Sequence, residues 1–394
     1  MKSSLALPVF LALYSLLVNP FQGAGQDSNP STSVTRYLMT NDDRPPKVAM
    51  SSTFFSLRSD GLPQNPVRVN IGGVGTGGGY FATNRVSVLN STTAACAYFG
   101  IGGSGAITVV DIQAQHAAGS YTAAATDSGF DNGIGLANNG TYLYAIFTTS
   151  NTIGTFAVTS GCGLQYLSSI PSSGRHGGKL TGIAVHADLL IVTYGDGSIQ
   201  SYNVAAGTPA ANDDLQDATG FAHDHFPVGI DITNDGHFAI FGDASNSTTV
   251  EVSDVSSGKL TKTVEYILGP AFNSNSVLLS PDESLLYIVN TTYGRVTAAL
   301  FDKATGQVKP GCVSHQLRGF DNNWAYLSSP VTRLPSGTGS QLYVAEFGNR
   351  STIAVLDVTS SDGQCTLTEA PGSPVENPNT ITMLSIGVYP PRPF

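Results

Sequence analysis

Charge is scarce in this chain of 394 residues. Asp, Glu, Lys and Arg together make up 12% of it, and 18 basic residues stand against 28 acidic ones. With a net charge of -10 and no cluster of Lys or Arg, there is nothing to neutralise a phosphate backbone. That argues against nucleic acid and anionic membrane as partners. Cysteine is nearly absent as well: Cys96, Cys162, Cys312 and Cys365 form no CxxC pair and no zinc-type spacing. The acyl-transfer elbow G-x-S-x-G and the zinc signature HExxH are both missing. A glycine run at 72–79 has formal GxGxxG spacing at Gly73, Gly75 and Gly78. It precedes a strand rather than opening a helix, and no GK[ST] follows, so it reads as a connector and not a phosphate cradle. The one long apolar run, residues 5–18, is broken by Pro8 and is short of the ~20 residues a membrane span needs. Lys2 precedes it and Gly23-Ala24-Gly25 follow, the pattern of a cleaved secretory signal over residues 1–25, with a polar tail at 26–33. The expected location is therefore secreted, periplasmic or cell-surface, with no membrane span.

What the chain does contain is repetition. In residues 275–309, three apolar runs (277–279, 285–289 and 296–301) are separated by turns at Ser280-Pro281-Asp282, before Gly294, and at 302–306. Runs of this length between such breakers read as antiparallel strands. With Leu286 as anchor, equivalent positions fall at Leu143, Leu190, Phe238 and Leu342, in steps of 47, 48, 48 and 56 residues. Looser copies lie at 36–40 and 96–99. Seven sheets with a period in the forties predict an all-β, seven-bladed β-propeller of four-stranded antiparallel blades, one domain over 34–394. The domain enters on a second strand (37–40) and leaves on a first strand (384–389), so the C-terminal strand joins the N-terminal blade and closes the ring. A closed ring is expected to be a monomer.

In this register blades two to seven span about 85–122, 133–170, 182–211, 228–266, 275–309 and 330–369. Cys162, Cys312 and Cys365 each precede an expected outer strand, and Cys96 lies in a second strand. Three pairings are open, of which Cys96–Cys162 and Cys312–Cys365 join neighbouring blades. The Asn-x-Ser/Thr sequons at Asn90, Asn139, Asn246, Asn290 and Asn349 are about as many as chance supplies, so they do not fix the source kingdom.

Loops between blades and turns between second and third strands share one face of a propeller, and that funnel carries the candidates. Three loops repeat a Gly-Phe pattern: Gly129-Phe130-Asp131-Asn132, Gly220-Phe221-Ala222-His223 and Gly319-Phe320-Asp321-Asn322. The phenylalanines read as plugs between blades. Trp324, the only tryptophan, offers a stacking platform beside Asp321, although a loop Trp also serves as a plain anchor. Arg175, His176 and Glu346 join them as ligand-binding candidates. Asn41, Asp42, Asp43 and Asp196 are turn residues of the same face, and hairpin formation accounts for them equally. Asp243 with His225 is the candidate acid–base pair. His223 and His225 of His223-Asp224-His225 are the candidate metal ligands, with Asp243 or Glu346 as carboxylate, against the plainer reading of solvated histidines. No cofactor signature is legible.

The blade text S-P-D-E-S-L-L-Y-I-V-N with V-T-A-A-L-F-D-K-A-T-G resembles the seven-bladed lactonase family, the 6-phosphogluconolactonase and carboxymuconate cyclase group. The entry Tyr37-Leu38-Met39-Thr40-Asn41-Asp42 and the late Leu342-Tyr343-Val344-Ala345-Glu346 are similar to it as well. The resemblance implies a His, two Arg and a Glu near the channel. Carried over, the His falls near Thr181, the first Arg near Pro227, the Glu at Asp243 and the second Arg at about Thr291. Only the carboxylate is matched, one methylene shorter, and Arg175 or Arg350 would have to supply cations from other loops. The leading functional reading is therefore an exported scaffold that binds a small molecule, glycan or protein at its funnel face. The alternative is a lactone hydrolase or cycloisomerase with a rearranged site, and the third reading is a metal-dependent hydrolase.

Overall fold

Short apolar strands between tight turns make a small sheet with two apolar faces, and such a sheet must find a neighbour on each side. In the computed structural model the runs form seven antiparallel sheets arranged in that way. The structure describes residues 36–42, 48–75, 84–89, 95–122, 133–217, 226–244, 249–269, 274–290, 293–312, 315–320, 324–327, 332–333, 340–347, 350–361, 364–380, 383 and 385–391. All belong to one compact unit, Thr35–Phe394. The leader and tail read at 1–33 lie outside the described residues.

From the inside outward, the first sheet runs Ser385–Tyr389, Tyr37–Asn41, Ala49–Leu57, Pro63–Val74. The second runs Val86–Val88, Cys96–Ile101, Ala106–Asp111, His116–Thr122, and the third Ile134–Asn138, Tyr142–Phe147, Thr152–Val158, Leu164–Pro171. The fourth has Leu180–His186, Leu189–Tyr194 and Ser198–Asn203, and the fifth Pro227–Ile232, Phe238–Asp243, Thr249–Asp254 and Thr261–Ile267. The sixth has Ser274–Leu279, Leu285–Asn290, Arg295–Asp302 and Gln307–Pro310; the seventh has Trp324–Leu327, Ser340–Phe347, Thr352–Ser361 and Gln364–Glu369. The fourth, sixth and seventh sheets carry extra two-residue strands. In the fourth, Ala210–Ala211 and Gln216–Asp217 share the outer place, and between them the Asp214 carboxylate accepts Ser201 N at 3.0 Å, standing in for a missing strand.

The closure expected from the termini is present. Residues 37–41 pair with 385–389 over five positions, from Tyr37↔Tyr389 to Asn41↔Ser385. The core is divided into seven apolar clusters, one between each pair of neighbouring sheets. Second strands such as Leu285–Asn290 are therefore buried along their whole length, whereas the outer strand His116–Thr122 is largely exposed. Phe320 packs as a plug against the cluster between the sixth and seventh sheets. Two disulfides tie neighbours together: Cys96–Cys162 joins the second and third sheets, Cys312–Cys365 the sixth and seventh. Two positions correct the sequence reading. Cys312 lies between the two outer pieces Gln307–Pro310 and His315–Gln316 of the sixth sheet, following one and preceding the other, and Cys365 lies within the outer strand Gln364–Glu369 and not before it. The glycine run also starts earlier than a connector would, because Gly72 and Gly73 end the outer strand Pro63–Val74.

Candidate active site

Each inner strand starts, and each second strand ends, on the same face, which is called the entry face below. The pairs Ser385↔Asn41, Pro227↔Asp243, Ser274↔Asn290 and Trp324↔Phe347 ring the mouth of the central channel there. The ring is polar yet buried: Asn41, Asp42, Thr193, Asp243 and Asn290 have no exposed surface. Buried polar groups need partners, and those of Asp42 are complete. Thr40 Oγ1 and Asn377 Nδ2 donate to its Oδ1 at 2.6 and 3.0 Å, and Ser51 and Thr53 hydroxyls to its Oδ2 at 3.2 and 2.8 Å. Burial nevertheless wins over these four bonds and pushes its carboxyl up to about 6.

The corner between the fourth and fifth sheets stands out by its backbone. In the fourth, fifth and sixth sheets the inner strand slips register next to the mouth, leaving Thr181, Val228 and Asn275 as extra residues. Such bulges re-aim side chains and collect beside working sites. Thr181 donates to the Pro227 carbonyl at 2.7 Å and shares a 3.0 Å bond with the Thr193 hydroxyl. Asp243 Oδ1 accepts Phe226 N at 2.8 Å. The positions that the family resemblance implied, Thr181, Pro227 and Asp243, are thus brought together, while Thr291 lies outside the described residues. Behind Asp243 is Glu251, also fully buried; burial first, then the charges of Asp243 and Glu265, push its carboxyl well above the usual range.

Arg175 and His176 come from the loop that leads into Leu180–His186. Asp196 holds that loop in place: His176 N and Gly178 N donate to its Oδ2 at 2.8 and 2.7 Å, and Ser198 caps its Oδ1. Burial works upward on Asp196, but these bonds outweigh it and hold the carboxyl below its ordinary value. A Cβ on Gly178 would lie 2.4 Å from Asp196 Cγ, so only glycine allows the approach. On this support Asp217 receives both neighbours. Arg175 Nη1 meets its Oδ2 at 3.2 Å, and His176 Nε2 meets its Oδ1 at 3.2 Å. Since a carboxylate only accepts, the ring nitrogen facing it is the protonated one. The His176 side chain keeps 37% of its surface exposed, so water and substrate reach it. The turn at Gly195 packs against the Phe226 ring and links this cluster to the Asp243 corner.

The remaining sequence candidates divide as follows. Glu346 is the next-to-last residue of the second strand of the seventh sheet, is nearly buried, and accepts the Thr352 hydroxyl at 2.8 Å. Trp324 starts that sheet's inner strand. His223, His225 and Asp321 lie outside the described residues, and the described residues hold no group of three or more His, Cys, Asp or Glu able to bind a metal. Three residues were missed. Asp217 fell in what reads as a connector after residue 211. Glu251 had a legible signal, a charge at a strand position that alternation assigns to the interior. Arg85, just before the inner strand Val86–Val88, heads the fully buried side chains by size among the described residues, and nothing in a single Arg next to Asn announces burial.

The model of the family described as "Lactonase, 7-bladed beta-propeller" matches residues 91–387. No curated protein matches in sequence. Among solved structures, a Bacteroides fragilis protein described as a candidate 6-phosphogluconolactonase is 16% identical. Its alignment covers 91% of this chain and 99% of that one, with a TM-score of 0.66. The periplasmic gluconolactonase of Pseudomonas aeruginosa is 14% identical, with 90% and 99% covered and a TM-score of 0.62. At these identities the structural likeness speaks for the fold.

Proposed function

The chain belongs to the seven-bladed β-propeller lactonase family, and from that premise we propose that it hydrolyses a sugar-type lactone on its entry face. The observation that carries this reading is the His176–Asp217 pair with Arg175 beside it, on a loop braced by Asp196. Lactone hydrolysis needs a base that works near neutral pH and a donor for the charge that builds on the carbonyl oxygen. Asp217 holds the Nε2–H tautomer, which makes Nδ1 the basic nitrogen of the neutral ring. Nδ1 takes a proton from water as the water oxygen bonds to the lactone carbonyl carbon. Arg175 faces the oxyanion. The acyl–oxygen bond then breaks, and the proton returns from the imidazolium to the departing ring oxygen, giving the open hydroxy acid.

The binding-scaffold reading rested on the missing family His at Thr181 and the missing family Arg at Pro227 and Thr291. Cations delivered by a different loop answer that objection, and the family match and its lactonase neighbours favour the hydrolase. A second placement of the base is Asp243, which is buried beside the register slip of the fifth sheet with its Oδ1 held by Phe226 N and the buried Glu251 behind it. Two interblade disulfides support export to an oxidising compartment. Among the described residues no helix is long and apolar enough to cross a membrane.

Purified protein assayed on glucono-δ-lactone, with and without chelator, tests the reading. We expect turnover that chelator leaves intact, and His176→Ala to lower kcat by about 10²- to 10⁴-fold with the fold retained. A comparable loss in Asp243→Asn with His176→Ala unaffected would move the base to Asp243. Loss on chelation would favour a metal held by His223 and His225. No acceleration of any sugar or aromatic lactone would end the hydrolase reading.

A further inference from the structure

The loop that carries Arg175 and His176 has a narrow neck. It leaves the outer strand Leu164–Pro171 of the third sheet at Ser172 and enters the inner strand of the fourth at Leu180. Both ends meet one residue, Asn151. Ser172 N donates to the Asn151 carbonyl at 2.8 Å, and Leu180 N donates to Asn151 Oδ1 at 3.0 Å. The other half of the amide reaches into the loop, where Asn151 Nδ2 donates to the Gly178 carbonyl at 3.2 Å. That carbonyl also accepts Gly174 N at 3.1 Å, the bond that folds the loop on itself. Gly178 is thus held from two sheets, by Asn151 on its carbonyl and by Asp196 on its N–H.

Asn151 closes the turn at 148–151, between the second and third strands of the third sheet, on the entry face. Its φ is 58°, in the left-handed region that few side chains enter. Glycine would take that φ with no side chain to reach the loop. Aspartate would take it too, but a carboxylate only accepts, so it would face the Gly178 carbonyl with no proton between them. Asparagine supplies the backbone, the acceptor and the donor together. A second asparagine joins the same two sheets at the opposite face, where Asn139 Nδ2 donates to the Ala187 carbonyl at 3.1 Å. Both bonds tie the sheets, and the one at Asn151 also sets the loop.

We propose that Asn151 is a positioning residue for lactone hydrolysis by the His176 and Arg175 pair, the reading on which this inference rests. It touches no reacting atom. It fixes the neck of the loop, and the loop fixes where the imidazole meets water and the guanidinium meets the oxyanion. Those two groups act as charge builds in the transition state, so a displaced loop lowers kcat and leaves ground-state binding almost alone. Asn151→Gly tests this, because it keeps the left-handed backbone and the carbonyl for Ser172 N while removing both side-chain bonds. On glucono-δ-lactone we expect kcat to fall about 10- to 100-fold and KM to stay within about twofold. Asn151→Asp, a second variant that tolerates the same φ, should lower kcat as well. Asn139→Gly is the matched control, expected to lower the denaturant midpoint with kcat unchanged. An Asn151→Gly protein that loses stability but keeps kcat overturns the proposal, as does a rise in KM alone or an equal loss of kcat in Asn139→Gly. A readout independent of turnover separates this inference from the hydrolase reading. With isotope-labelled histidine, the His176 ring-nitrogen NMR signals, assigned by their loss in His176→Ala, should report Nε2–H in the wild type. In Asn151→Gly they should move toward tautomer averaging. If the wild type hydrolyses no lactone, the hydrolase reading fails and these signals alone decide; unmoved signals overturn the positioning role with or without turnover.

Discussion

Asp42 sits where the N-terminal blade meets the segment that returns to close the ring, and its four hydrogen bonds include one from Asn377. Its carboxyl ionises at about 6 in the folded chain against 3.8 without the fold, because burial penalises the charge more than the donors repay. A folded-state value above the unfolded one means the native state keeps a proton that the unfolded chain releases. Stability from this group is therefore full below about pH 3.8 and declines through about pH 6, a loss of about 3 kcal/mol. Asparagine suits the same place: its oxygen can accept from Thr40 and Asn377, and its two N–H groups can donate to the Ser51 and Thr53 hydroxyls once those rotate. Asp42→Asn is expected to remove this decline. The check is denaturant unfolding of both proteins at about pH 4 and about pH 7, where the wild type should lose about 2 kcal/mol more than the variant, the rest of the loss falling below pH 4. Equal losses would show that Asp42 is not buried in the way described.

At the scale of the strand, the approach of the fourth and fifth sheets depends on Gly182. A Cβ there would fall 2.0 Å from the Val228 carbonyl oxygen and 2.6 Å from Thr193 Oγ1, so the two inner strands would have to separate. Gly182→Ala should cost about 2 kcal/mol or more, read as a lower denaturant midpoint, whereas Gly161→Ala meets no neighbouring atom and should cost only the strain of its positive φ, about 1 kcal/mol. The contrast also shows what a sequence can and cannot convey. The apolar second strands repeat in the sequence because burial on both faces demands it, so the sheets, their order and the closure were legible. The extra residues at Thr181 and Val228 were not, because a one-residue slip leaves the composition of a strand unchanged. Nor was the meeting of Arg175 and His176 with Asp217, which lies across the fourth sheet and depends on a two-residue strand pairing with Ser198 and Ile199. Asp243 was legible only as the end of a strand; Glu251 belongs to the next strand, and only the fold buries it and sets the Asp243 charge beside it, which together raise the ionisation of Glu251.

For the molecule as a whole, the seven clusters form a cycle, and a cycle can be opened at its weakest covalent joint. Every sheet but the first is made from one continuous stretch of chain; the first borrows Ser385–Tyr389 as its inner strand. That strand places Ile386 and Val388, both without exposed surface, into the cluster shared with Leu38, Phe55 and Tyr343. Removing it would uncover two buried aliphatic side chains, worth roughly 1.5–3 kcal/mol each, and leave Tyr37–Asn41 as an unpaired edge. Against a total stability of about 5–15 kcal/mol, that loss alone brings the ring near unfolding. A chain ending at Met383 is expected to unfold at much lower denaturant than the full chain and to associate through the freed edge, seen as a concentration-dependent size in solution. A synthetic peptide of residues 383–391, added in trans, should restore the monomer by occupying the vacant strand position. Were the shortened chain to keep its midpoint and its monomeric size, closure by the last strand would not be what holds the seven sheets in a ring. The entry-face residues would then owe their positions to the neighbouring-sheet contacts alone.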